Sequence, residues 1–562
     1  MSELRRYNYN IFLFFTLSLF LWWCFKVDSF GPNFLGSDSF IIVDRINHYD
    51  KLRWFEQTYL PQFGLQSVIL SAIHRLDSNI SIQGLSIFSA YVISFITAAT
   101  FAIPSTKIYS IAGFPSLLFY WAALAFSPWM ISFSHSLYWV PFTIILPAMI
   151  GLIFGPMLGT RKSWIPLLLI NIAMIIKLLS GYEYVTTVTM FACAGYALST
   201  IGSKREIKIS HIILIFISCI IGFVISLGIH VWQLHSINSA YGISTILGRA
   251  ELHTGADGGK AYSEILVSHL LSRPGNEFIA NLLSTSASDN KILFAFTAFK
   301  EYFYLPAINI LGVTINFGWF ALFSSIVIVL PLSKLSVKTK EIFSVDGVKF
   351  SIGSALILFG VFSWQILAWK HMTVHYHLNG QLFAYGIVPI AMISLGYLFN
   401  LPYKKIPLKT RKIIEVNILV IITAFPLVMI ISSVIKFSSP NEDLILALNR
   451  NDVASARIDY FNVRPDGNEL FRGMGVNSTQ INISGIIINN DNVNSCVFVY
   501  ANDVLITSVC DGKERVDLIS LFPGANNINE FHVVKTIPGT FSSNEIKVMI
   551  SNGNGGIEKV IF

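Results

Sequence analysis

Apolar residues run through this chain in eleven stretches long enough to cross about 30 Å of hydrocarbon. They fall near 10–27, 84–104, 111–133, 137–158, 163–179, 184–202, 210–233, 306–331, 350–369, 380–400 and 414–436, and each predicts a spanning helix. Only a short polar break, Gly181-Tyr182-Glu183, parts the fifth from the sixth. The connection 28–83 is too polar for membrane and too patterned for a linker. In it Ile42, Ile46, Tyr49, Leu52 and Phe55 recur at steps of four and three, the pattern of an amphipathic helix lying along an interface. The run Tyr59-Leu60-Pro61-Gln62-Phe63-Gly64-Leu65-Gln66 breaks that helix. A second one follows with Leu65, Ile69, Ala72, Ile73 and Leu76 on one side, too short to span and expected to lie flat. From about 437 the texture changes. Short β-branched runs (Ile481–Ile488, Val497–Tyr500, Val504–Val509, Glu530–Val534, Glu545–Ile550) alternate at period two between Asn, Asp, Gly and Ser clusters, which predicts an antiparallel β-sandwich of about 120 residues.

Composition agrees with this pattern. The 562 residues are 53% hydrophobic and 13% charged, against about 25% charged in soluble domains. Mean hydropathy is +0.61. The expected fold class is therefore a polytopic α-helical membrane domain over 1–436, followed by an all-β domain over 437–562. Arg5 and Arg6 precede the run Ile11–Val27 with no small-residue cleavage site, so a retained first helix is expected rather than a cleaved signal.

Charge orients the helices. Connections on one side hold Arg5, Arg6, Lys107, Arg161, Lys162, Lys204, Arg205, Lys208, Lys334, Lys338, Lys340, Lys349, Lys404, Lys405, Lys409, Arg411 and Lys412; those on the other hold Arg45, Lys51, Arg53, Arg75 and Lys370. The positive-inside rule then predicts a cytoplasmic N-terminus, and an odd helix count predicts an outer C-terminus. The net charge of +7 is accounted for by these loops without nucleic acid. On the outer side lie the 28–83 connection, a long 234–305 connection, a short one at 370–379 and the β domain. Cys496 and Cys510 flank the expected hairpin at Asn502-Asp503, where a disulfide is reasonable outside the cytoplasm.

Candidate chemistry collects on that side. Asp28, Asp38, Asp44 and Asp50 stand with Arg45, His48, Lys51 and Arg53, either as a solvated polar face or as a proton-transfer site. Glu183 lies in the sixth-helix break with Lys177 about a turn and a half earlier, either a local ion pair at a helix end or a carboxylate and a phosphate-binding cation. Lys370, His371, His375, His377 and Asn379 crowd one connection. Anchoring of a phosphate or a sugar hydroxyl suits them better than metal binding, since no carboxylate or Cys joins them. His135 is a weaker candidate of the same kind. Thr254–Lys260 has the glycines of a phosphate-cradling turn but lacks the flanking strand and helix. No cofactor or metal is expected.

The short runs Gly36-Ser37-Asp38-Ser39, Gln62-Phe63-Gly64-Leu65-Gln66, Gly181-Tyr182-Glu183-Tyr184 and the His375/His377/Asn379 connection resemble the GT-C superfamily of integral-membrane glycosyltransferases. Within it they are similar to the bacterial glucosyltransferases that modify O-antigen, over residues 1–436. In those relatives the position that Asp38 matches is often followed by a second acid; here it is Ser39, which leaves open whether Asp38 acts alone or with Asp44. The resemblance implies a bacterial inner-membrane enzyme that takes a sugar, by this likeness glucose, from a polyprenyl-phosphate donor. It would transfer the sugar with inversion to a lipid-linked surface glycan outside the cytoplasm. Asp38 would be the base with Asp44 in reserve and Glu183 next, while Arg45, Arg53, Lys177 and Lys370 would stand near the leaving phosphate. Two other classes fit less well. A lipid-linked glycan transporter or flippase would show charged residues deep in mid-membrane helices. An outer-face acyl- or phosphoethanolamine-type transferase would show a nucleophilic Ser or Thr, or a metal cluster.

Overall fold

The structure is a computed structural model. It describes residues 3–27, 39–48, 55–56, 59–80, 82–254, 299–300, 302–310, 313–333, 345–374 and 376–438. Beyond these it describes 454–466, 478–489, 497–501, 504–509, 513–514, 527–538, 546–551 and 557–560. The chain divides into two compact units, one drawn chiefly from residues up to Ile430 and the other chiefly Ile431–Phe562.

The first unit is helical. Its helices are α1 (Glu3–Val27), α2 (Ser39–Asn47), α3 (Leu65–Leu76), α4 (Ile82–Ala102), α5 (Ser105–Ala112), α6 (Phe114–Ala125), α7 (Pro128–Phe133), α8 (Phe142–Phe154), α9 (Trp164–Ser180), α10 (Val185–Ser199), α11 (Ile209–Ile237) and α12 (Ile243–Thr254). They continue with α13 (Phe317–Ser333), α14 (Val345–Leu367), α15 (Trp369–Val374), α16 (Tyr376–Tyr403) and α17 (Leu408–Ser438). Among the described residues, Gly84–Ala112, Ile209–Ile237, Asp346–Leu367 and Gly380–Asn400 are long and apolar enough to cross a membrane, and shorter apolar helices accompany them. Ile213, Ile217, Ile221 and Val224 of α11 all stand exposed. A helix apolar on its outward face as well as its packed one is what a membrane, rather than water, accommodates.

Glycines bring the helices together. A Cβ on Gly195 of α10 would lie 2.0 Å from the Ala148 carbonyl of α8, and one on Gly396 of α16 would lie 2.5 Å from Ser116 Cα of α6. Such close backbone approach is the usual way helices associate where lipid removes the hydrophobic drive.

Several expected elements differ. The stretch 111–133 is three helices rather than one: Gly113, at φ 90°, ends α5, and Pro115 and Pro128 restart the chain in α6 and α7. The stretch 306–331 opens as a hairpin, β1 (Pro306–Ile310) paired antiparallel with β2 (Val313–Asn316), and turns helical only at Phe317. Its alternating Ile, Val and Thr residues favour the strand. The expected loop 370–379 is mostly helical, within α15 and the start of α16. The first amphipathic helix ends at Asn47, so Phe55 is not on it.

The second unit holds two four-stranded antiparallel sheets among its described residues. One has the order β3 (Ala454–Asp466), β4 (Ser478–Asn489), β8 (Asn527–Pro538), β7 (Lys513–Glu514). The other runs β10 (Ile557–Val560), β9 (Ile546–Ser551), β5 (Val497–Ala501), β6 (Val504–Val509). Ile481 and Ile483, Val497 and Val499, and Ile546 and Val548 are buried at every second position, as the pleat requires. Cys496 and Cys510 lie outside the described residues.

Candidate functional site

The helix break at Gly181–Tyr184 builds the centre of the site. Lys177 on the last turn of α9 donates from Nζ to the Gly181 carbonyl at 2.7 Å. It thereby satisfies an orphan acceptor at a helix C-terminus, where a cation is favoured. Lys177 also interacts electrostatically with Glu183, as the local pair would, but the hydrogen bonds to that carboxylate come from other segments. That side chain is only 7% exposed. Its Oε1 accepts from Gln62 Nε2 at 2.6 Å and from Tyr138 Oη at 3.2 Å. A buried carboxylate requires such donors, since leaving it unpaired would cost several kcal/mol. Gly181 makes room for it: a Cβ there would lie 2.5 Å from Glu183 Oε2.

Two glutamines lace the segments together. Gln62 Nε2 also lies 2.5 Å from Tyr138 Oη, and Gln66 Nε2 donates to the carbonyls of Tyr138 (3.1 Å) and Ser180 (3.2 Å). Gln66 opens the buried face of α3, which continues through Ser67, Ser71 and His74. The apolar side of this helix points the other way, with Ile69, Ile73 and Leu76 at 49%, 38% and 81% exposure. The expected amphipathic helix is therefore present, with its polar face to the protein and its apolar face outward, as a lipid-contacting helix requires. On the same buried face Arg45 of α2 donates to Ser71 Oγ at 3.3 Å. Burial first, then the nearby Arg75, lowers its pKa to about 10 against the opposing pull of Glu56, so it stays a cation at neutral pH.

An aromatic chain continues from Tyr184. Trp139 stacks on it at 5.4 Å, Trp364 meets it edge-on at 5.4 Å, and His371 meets Trp364 edge-on at 5.8 Å. Gln381 Nε2 donates to Tyr184 Oη at 2.7 Å. Lys370 and His371 are both buried here. The indole N–H groups of Trp139 and Trp364 and both amide atoms of Gln365 are buried without a hydrogen-bond partner among the described residues. Backbone strain gathers at the same place: Val140 at φ 42° and Tyr184 at φ 67° are the non-glycine positive-φ residues among those described. For a β-branched residue that region is an outlier, and such strain, about 1–3 kcal/mol each, concentrates at functional sites.

Beside this cluster runs a groove of ≈ 580 Å³, walled by Ile69 and Ile73 of α3, Phe88, Val92 and Ile96 of α4, Phe142 and Ile176, with Gln66 and Ser180 among its few polar lining residues. The Gln66 Oε1 is buried and has no partner among the described residues.

The structure thus brings Glu183 and Lys177 into one cluster, with Arg45 along the buried face of α3 and Lys370 and His371 at the end of the aromatic chain. Asp38, Arg53 and His375 lie outside the described residues; Asp44 falls in α2 and His377 and Asn379 in α16, with their side chains outside them. Among the described residues no group of three or more His, Cys, Asp or Glu could hold a metal ion. Reading the sequence placed Gln62, Gln66 and Tyr184 in the short runs of the resemblance, but gave no individual role to them, to Tyr138 or to Gln381. The available signal was a set of amides and phenols in otherwise apolar surroundings. Comparison with family models, with curated proteins and with solved structures found no match to this chain.

Proposed function

We propose that this chain is an inverting glycosyltransferase that takes a sugar from a polyprenyl-phosphate donor and joins it to a lipid-linked surface glycan on the outer face of a bacterial cytoplasmic membrane. In this reading the helices form an eleven-span GT-C-like domain with a cytoplasmic N-terminus, and the two sheets form a β-sandwich outside. The observation that carries the proposal is the hydrogen-bonded carboxylate of Glu183, buried close behind an apolar groove and linked to it through Tyr138 and Gln66. A groove with apolar walls and a polar inner edge suits a substrate with a long hydrocarbon tail and a polar head.

The chemistry asked of the site is modest. A carboxylate takes the proton of the acceptor hydroxyl as its oxygen bonds to the anomeric carbon. The bond from that carbon to the donor phosphate oxygen breaks, and the lipid phosphate leaves. Lys177, Lys370, Arg45 and Arg53 are the cations available to the departing phosphate, with His371, His375, His377 and Asn379 as further donors. Asp38, Asp44 and Glu183 are the candidate bases.

The test uses purified protein in liposomes supplied with a polyprenyl-phosphate hexose and an acceptor glycolipid. Covalent transfer supports the reading, and Glu183→Gln is expected to lose about 10²–10⁴-fold in rate while folding normally. If Glu183→Gln turns over normally and Asp38→Asn or Asp44→Asn does not, the base moves into the 28–83 segment. Movement of the lipid across the bilayer without a new glycosidic bond would replace the enzyme with a transporter.

A further inference from the structure

Two pieces of irregular backbone meet at Glu183, and neither is held by a helix of its own. One is the turn Tyr59–Gly64, which carries Gln62; the other is Gly181–Tyr184, which carries the carboxylate. The outer turns of α11 grip both. Gln233 Nε2 donates to the carbonyl of Phe63 at 3.2 Å and also to that of Phe55. His230 Nε2 lies 3.1 Å from the Leu60 carbonyl, and its Nδ1 lies 3.1 Å from Tyr182 Oη, with the two rings stacked at 5.6 Å. A carbonyl can only accept, so Nε2 carries the proton; on the neutral ring Nδ1 then accepts from the Tyr182 hydroxyl. Both side chains are fully buried. Leu60 and Phe63 stand on either side of Gln62, and Tyr182 immediately precedes Glu183. The two partners of the 2.6 Å Gln62–Glu183 hydrogen bond are thus fixed through the same helix.

We propose that His230 and Gln233 are positioning residues: they form a latch at the end of α11 that sets the Gln62–Glu183 hydrogen bond and so the orientation of the carboxylate. The proposal rests on the reading of Glu183 as a working group of the site. The latch touches no reacting atom. It acts through Gln62 on one side and through Tyr182 on the other. A misplacement of about 1 Å in such a group is enough to cost a hundredfold in rate.

The experiment follows the rate at which Glu183 is amidated by a water-soluble carbodiimide and glycine methyl ester, read by peptide mass spectrometry on the full-length protein in nanodiscs. In His230→Leu and in Gln233→Leu the rate is expected to rise about fivefold to tenfold, the population shift that follows loss of a typical hydrogen bond. His230→Gln, which keeps a donor toward Leu60, should restore the slow rate and the transfer activity together. In a Gln62→Leu background, His230→Leu should add clearly less than it does alone, because only the path through Tyr182 remains and coupled residues do not add. Unchanged amidation in both leucine variants overturns the proposal. So does a full additional increase in the Gln62→Leu background, which is the mark of general loosening. Should His230→Leu not accumulate, Gln233→Asn, too short to reach both carbonyls, makes the same comparison. If Glu183→Gln transfers sugar normally, the role of the carboxylate falls while the amidation rates still decide the latch.

Discussion

Both ends of the helical unit bury charge, and they do so in opposite ways. At the end where α10 finishes, Lys349 donates to the carbonyls of Thr200 (3.1 Å) and Ser203 (2.7 Å) and lies 3.7 Å from Asp346, while Lys107 donates to the Ser199 carbonyl at 2.6 Å. Two ammonium groups thus cap the last carbonyls of one helix, where the macrodipole favours them. Nearby, Glu415 receives Tyr109 at 2.9 Å and Tyr403 at 3.1 Å, one on each carboxylate oxygen. At the end where α10 begins, the two described donors to Glu183 both reach a single oxygen. There the backbone is strained at Val140 and Tyr184, and indole and amide groups have no partner among the described residues. Under the proposed function the first kind of charge serves stability, and Glu183, held from one side amid strained backbone, is the one that meets substrate.

The sharpest way to break this contrast is to neutralise one carboxylate at each end. Glu183→Gln is expected to lower transfer by about 10²–10⁴-fold with little change in thermal midpoint. Glu415→Gln is expected to keep turnover within about twofold and to lower stability by about 1 kcal/mol, the worth of a typical charged hydrogen bond less what the amide retains. Turnover in membranes and unfolding in detergent, measured on the same preparations, decide it. Equal losses of activity at both ends would remove the distinction.

A smaller effect is expected from Gly181→Ala. The new methyl would meet Glu183 Oε2 at 2.5 Å, so the carboxylate must shift from its present place. Gly181 has an extended backbone at φ 166°, which alanine adopts freely, so no backbone penalty enters. A drop in rate of about tenfold to a hundredfold, with an unchanged midpoint, would mark displacement of the carboxylate alone. A normal rate would mean that the orientation of Glu183 does not matter.

At the opposite end Lys349→Met should touch stability only. Removing the ammonium leaves the Thr200 and Ser203 carbonyls without that donor, at a cost of about 1–3 kcal/mol. The midpoint should fall accordingly while transfer per folded molecule stays constant. A loss of specific activity instead would bring this end into the mechanism.

Much of the helical unit was legible in the chain because a 20-residue apolar run admits few alternatives. Glu183 and Lys177 were legible as well, since charge in apolar surroundings is conspicuous. The period of Leu65, Ile69, Ile73 and Leu76 announced an amphipathic helix lying flat on the membrane, and the exposure of Ile69, Ile73 and Leu76 agrees with that. Hairpin β1–β2 was hidden because Ile, Val and Thr satisfy the hydropathy of a span as well as that of a strand. The partners of Glu183 come from positions 45 and 121 residues away in sequence, so their meeting is a tertiary fact. Amides and phenols also carry no charge to draw the eye.

The smallest effect concerns pH and again separates the two ends. His135, between α7 and α8, is buried and bonded to the Phe25 backbone, and burial holds its pKa down to about 4. The ordinary value is about 6.5, so the folded protein keeps this imidazole neutral while the unfolded chain protonates it as pH falls. A depressed histidine therefore costs nothing above about pH 6.5, and its penalty grows as the pH drops from there toward 4. At pH 5.5, one unit below the unfolded value, the loss is about 1.4 kcal/mol, from 1.36 kcal/mol per unit of difference. His135 precedes Tyr138 by three residues, so this weakness belongs to the segment that serves Glu183. The fall in thermal midpoint between pH 7.5 and pH 5.5 should be smaller in His135→Asn than in the wild type, whatever the variant's stability at pH 7.5. An equal fall in both proteins would mean that the acid sensitivity of this end comes from another group.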